Sequence, residues 1–241
     1  MRDNGFLEPL STDGARSLSA PTTNEDLVSH SLFWILSKIA NFIAAFVELN
    51  CEECNGTSSR ILHLGEMTSQ WERLQSGLQR WSTGLPPSFS SFVRTPSFVS
   101  EADAAHLSGN LSFDKITYTI PTCGSTMQNY HMACILLLMH RPPEWHMVRS
   151  TFTERLYSYR TIQKEVVYHS RNICGVSLSS PPESVRIQSV QPLFVAGQCM
   201  KEAKERKTVM DLLRGIEEDL GWATGYRVQE LLAEWMACPP D

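Results

Sequence analysis

The stretch Met127 to Pro143, MQNYHMACILLLMHRPP, constrains the chain more than any other. From Met132 to Met139 eight consecutive side chains are apolar, and a helix that is apolar on every side has to be enclosed by other elements. Ser125 and Gln128 have the spacing of a capping box, which predicts a helix start there. Pro142 and Pro143 end it, because proline lacks a ladder N–H and restricts the residue before it. The run is far short of the roughly 20 residues needed to span a bilayer. The rest of the chain is expected to wrap this post.

Two-faced helical patterns recur on both sides of it. Leu32, Ile35, Leu36, Ile39, Phe42, Ile43, Phe46 and Val47 return at intervals of three and four, which predicts one helix face. Ser31 to Leu49 could be read as a membrane span, but Lys38 and Asn41 lie at its centre, where a charge costs about 3 kcal/mol to insert, so a core helix is preferred. Met67, Trp71, Leu74, Leu78 and Trp81 form another amphipathic stripe, stopped by Gly84 and Pro86–Pro87. Residues 88 to 110 read as a loop, and Leu111 to Ile120 as a short extended approach to the central helix.

Downstream, Thr151 and Glu154 give a second capping-box spacing. The helix that follows runs to about Cys174, with Gly175 as its stop. Ser179 to Pro182 is a turn, and Glu183 to about Met200 is helical with a kink demanded by Pro192. Arg206 to Leu220 ends at Gly221, and Thr224 caps a last helix closed by Pro239–Pro240. The expected fold is all-α, a single domain of about seven to nine helices over residues 24–241. Residues 1–23, rich in Ser, Thr, Pro and Asp, read as an arm or linker.

The formal charge of −5 argues against a chain that coats a phosphate backbone, and the Lys201 to Lys207 cluster is interleaved with Glu202 and Glu205. No charged n-region with an apolar core and cleavage site opens the sequence, so a reducing compartment is expected, and Asn55 and Asn110 carry no glycosylation meaning. Seven scattered cysteines suit free, buried thiols. A tetrahedral zinc needs four ligands, and Cys51-Glu-Glu-Cys54 stands alone. His140 and His146 are separated by Arg141-Pro-Pro, so they cannot share a helix face, and Glu217-Glu-Asp219 reads as a solvated cluster at a helix end. His131 is read as bonded within the core, since no carboxylate or nucleophile accompanies it at an informative spacing. No phosphate loop, nucleophile elbow or zinc-protease motif occurs, so no catalytic residue, metal site or cofactor is expected.

The ordered series LFWILSKIANF (32–42), WERLQSGLQRWSTGLPPSF (71–89), MQNYHMACILLLMHRPPE (127–144), HSRNICGVS (169–177), QPLFVAGQC (191–199) and DLGWATGYRVQELLAEW (219–235) resembles the regulatory domain of fungal binuclear zinc-cluster transcription factors, in its sterol-regulator-like and ARCA-like branch. The resemblance implies an all-helical, nuclear domain that often dimerises and in some relatives is thought to hold a small apolar effector. The family's six-cysteine zinc cluster is absent from these residues, so DNA binding in that manner, and zinc itself, would require an upstream module. A regulatory, effector-sensing domain controlling RNA polymerase II transcription is therefore expected, with homo- or heterodimers of related factors as partners and no membrane. The alternative is a helical enzyme or small-molecule carrier of a biosynthetic gene cluster. Either would place a pocket near Trp71, Trp81, Met127, Tyr130, His131 and Cys134, where apolar volume and a few polar groups coincide between helices.

Overall fold

A computed structural model describes residues 23–51, 57–91, 93–97, 113–142 and 151–237. Among them are eight α-helices: α1 (Asn24–Cys51), α2 (Thr57–Thr83), α3 (Pro121–Met139), α4 (Phe152–Leu178), α5 (Glu183–Gln188), α6 (Val190–Cys199), α7 (Ala203–Leu220) and α8 (Gly225–Ala237). A 3-10 turn spans Pro87–Phe89, and two strands, β1 (Val93–Ser97) and β2 (Phe113–Thr117), form an antiparallel pair with Arg94 opposite Ile116. Among the described residues the fold is all-α apart from this hairpin. Residues 1–22 of the expected arm lie outside the described residues, and Thr23 caps α1, accepting from the Asp26 backbone N–H at 3.2 Å.

Helix α3 is the post, because it has two apolar faces with separate cores. Met132 and Ile135 join a cluster with Ile173, Leu193, Val209, Leu213 and Leu231 from the C-terminal helices. Ala133 and Leu137 join a second with Leu32, Ile39 and Phe42 of α1 and Trp71, Leu74 and Leu78 of α2. A helix shared by two cores must be apolar all round where they meet. That demand relaxes at the end, where Met139 is exposed.

The start of α3 differs from the expected one. Proline at the first helical position is pre-organised for a helix, and Pro121 begins this one with Ile120 as N-cap and no side-chain cap. Ser125 and Gln128 therefore lie inside the helix. The Ser125 hydroxyl donates to the Thr122 carbonyl, and the Gln128 amide reaches across to the Ile173 carbonyl at 3.1 Å and the Ser177 hydroxyl at 2.8 Å. The N-terminal half of α3 is thus a buried polar layer, to which the Ser29 to Thr126 hydroxyl contact of 2.7 Å ties α1.

Helix α1 is long and apolar enough to cross a membrane by length and composition. Here it lies against α2 and α3 by one face, with Leu32, Ile39 and Phe42 fully enclosed, while Val47, expected inward, is exposed with Trp34 and Phe33. Trp81 donates its indole N–H to the Val28 carbonyl at 3.1 Å and to the Ser31 hydroxyl at 3.0 Å, which binds α2 to this helix.

The capping box at Thr151 and Glu154 is complete. Helix α4 then continues past Gly175 to Leu178, because that glycine is where the hairpin comes closest. A Cβ there would collide with the Asp114 carbonyl and press on Ile116 at 3.0 Å. The expected loop over residues 88 to 110 accordingly contains β1, and the extended approach to the central helix is its partner β2. Pro96 is tolerated because each strand of a two-stranded pair is an edge.

The break that Pro192 demands falls at Ser189, dividing the segment into α5 and α6. Proline then sits in the first turn of α6, where its missing N–H leaves no ladder bond unmade. Gly221 ends α7 in the left-handed conformation, φ 67°, and donates to the Glu217 carbonyl at 2.9 Å. Thr224 precedes α8, but its hydroxyl turns back to the Leu213 carbonyl at 2.7 Å, locking α8 onto α7 instead of capping the new helix.

Candidate functional site

Trp71, Tyr130 and Cys134 come together around a recess of about 310 Å³ between α2, α3 and α4, with Gln75, Glu165 and His169 completing its wall. Trp71 enters from α2, and its indole N–H donates to the Leu137 carbonyl at 2.7 Å. Leu137 lies in the last turn of α3, where carbonyls have no intrahelical partner, so the indole acts as a side-chain cap. Tyr130 lies between Trp81, stacked on it at 5.4 Å, and His131, edge-on at 5.3 Å. Burial pushes the Tyr130 phenol and the Cys134 thiol each up to about 12, so both stay protonated.

The remaining candidate residues lie outside the recess wall. Trp81 faces a wider groove between α1 and α2 together with Lys38, Arg73 and Gly77. Met127 is partly buried and lines neither space. His131 stands behind His169, the two Nδ1 atoms 2.8 Å apart. One ring must donate and the other accept, so the accepting ring is a neutral imidazole protonated at Nε2. Burial is the main cause that drives His131 down to about 3, helped by His169, and His169 down to about 4. The pair makes a polar pin between α3 and α4.

The other chemistry-bearing residues have structural partners. His140 bonds the Leu136 carbonyl at 2.8 Å. The acidic run at the end of α7, expected to be simply solvated, is engaged at two of its three members: Glu217 accepts the Thr224 backbone N–H at 3.2 Å, and Asp219 pairs with Arg186 at 2.6 Å. Cys123, Cys134, Cys174 and Cys199 are free, and burial raises all four thiols. Cys54 and His146 lie outside the described residues. Among the described residues no group of three or more His, Cys, Asp or Glu side chains is placed to hold a metal ion.

An open groove of about 570 Å³ lies between the hairpin and α4, a site the sequence does not announce. Phe113, Ile116 and Val167 give it an apolar floor, and Arg160, Lys164 and Arg171 project along one side. The available signal was their spacing of four and seven on one helix face.

The fold is a helical unit with several recesses of binding size, among them the one at Trp71, Tyr130 and Cys134 and the groove beside the hairpin. Over 222 residues, 90% of its length, the chain is 36% identical to the transcription activator AMTR1 of Alternaria alternata. It spans about 28% of that relative's length. No family profile matches the chain, and no solved structure matches it.

Proposed function

We propose that these residues form a regulatory unit of a fungal transcription regulator acting in the nucleus, and that the unit senses a small molecule without itself reading DNA. The likeness to a transcription activator over 90% of the chain carries this reading. The ordered motif series of the zinc-cluster regulators supports it, as does the chain's net negative charge, which disfavours direct phosphate contact.

Effector sensing draws support from the recess at Trp71, Tyr130 and Cys134. Its volume is at the lower end of that used by small ligands, and its walls combine aromatic surface with a few polar groups. Because the recess lies where α2, α3 and α4 meet, an occupant would bias how these helices pack. Partner factors of the same kind would read that change through dimer contacts. Deleting the gene in its source organism and profiling transcripts tests the reading. A defined gene set that loses or gains expression, restored by the intact gene, is expected; an unchanged profile contradicts it.

A further inference from the structure

We infer that the groove between the hairpin and α4 is a binding site for a small organic anion with an extended apolar body, of the fatty-acid or aromatic-carboxylate class. The inference is about binding and stands whether or not the chain controls transcription.

Three observations carry it. First, the groove is cationic in an acidic protein. Arg94, Arg160, Lys164, Arg171 and Lys201 line it against a single carboxylate, Asp114, while the whole chain carries −5. Arg94 is engaged by Asp114 at 3.5 Å and Arg171 by Glu205 at 2.8 Å. Arg160, Lys164 and Lys201 have no ion pair among the described residues. A cleft lined by one sign of charge over low-dielectric walls concentrates the opposite ion.

Second, the floor is apolar. The half-buried Val167 and the exposed ring of Tyr168 on α4 supply its open apolar surface, laid over the enclosed Phe113 and Ile116 of β2. An inorganic anion would leave this floor wet, whereas an apolar chain or ring would cover it.

Third, one cation is held in place. Asn172 is 3% exposed, donates its amide to the Tyr168 carbonyl at 2.7 Å, and accepts from Arg94 at 2.8 Å. The guanidinium is thereby oriented before a ligand arrives, which lowers the cost of binding one. The volume of about 570 Å³ suits a drug-sized molecule.

The test uses the whole chain, with dodecanoate as the probe, followed by displacement of anilinonaphthalenesulfonate fluorescence. Dodecanol serves as the uncharged counterpart. Dodecanoate is expected to bind at one site, about tenfold tighter than dodecanol, and to weaken as salt rises. Lys164→Glu combined with Lys201→Glu, both exposed and remote from the cores, is expected to weaken dodecanoate about tenfold with the circular dichroism spectrum unchanged. Gln75→Trp, which fills the recess at Trp71, Tyr130 and Cys134, should leave dodecanoate binding as it is. Equal binding of dodecanol, indifference to the charge reversals, or loss of binding in Gln75→Trp would overturn the assignment. Failure of dodecanoate to saturate below about 1 mM would also overturn it. So would displacement of the dye by an acidic amphipathic peptide but not by dodecanoate, which would give the groove to a protein partner.

Discussion

His131 on α3 and His169 on α4 face each other through their Nδ1 atoms at 2.8 Å inside the protein. This contact joins the central post to the longest helix of the C-terminal half, and it is lost once both rings carry a proton. Burial holds the two at about 3 and about 4, whereas in the unfolded chain each takes a proton near the ordinary value of 6.5. Below that value the unfolded state binds more protons than the native state, so stability is fully present above it and falls as the pH drops towards 4. At pH 5 the loss is about 2 kcal/mol for each histidine kept neutral. Urea midpoints at pH 7.5 and pH 5.0 check this, and His169→Gln should remove part of the difference.

Gly175→Ala should destabilise the protein by about 1–3 kcal/mol, because the added methyl meets the Asp114 backbone and has no flexible side chain to displace. The variant pushes the hairpin off α4, so dodecanoate binding should weaken with it. Chemical denaturation and the displacement assay measure the two effects on the same sample.

Trp71→Phe keeps most of the core volume and removes the indole N–H. The Leu137 carbonyl is then buried at a helix end without its donor, and the expected cost is about 1–3 kcal/mol. Trp71→Ala adds a cavity to that loss and should cost about 3–5 kcal/mol. Thermal unfolding of the two variants separates the hydrogen bond from the packing.

Thr224→Val removes the hydroxyl that fastens the last helix to α7 through the Leu213 carbonyl. A loss of about 1–2 kcal/mol is expected, together with faster amide exchange across α8. Exchange mass spectrometry localises it.

Features fixed by neighbours in sequence were legible, and those fixed by distant partners were not. Thr151 with Glu154 and Gly221 with Glu217 complete their bonds within a turn, so residue type and spacing sufficed. Ser125 and Gln128 show the same spacing, yet Gln128 answers to Ile173 and Ser177, some fifty residues on. Gly175 reads as a stop until a hairpin is found leaning on it, and Val93–Ser97 reads as a loop until its partner is known. Three of the six candidate pocket residues, Trp71, Tyr130 and Cys134, share one recess because each lies on a helix whose period fixes its face. The basic groove was hidden because one wall of it, Arg94, Phe113, Asp114 and Ile116, comes from that unforeseen hairpin.

Regulation of transcription by this helical unit is open to direct measurement. Fusing the whole chain to an unrelated DNA-binding domain and measuring a reporter with the matching operator tests it most directly. Reporter transcription several-fold away from that of the DNA-binding domain alone is the expected result. Identical output, with the fusion present in the nucleus at equal abundance, would mean that the unit has no such role.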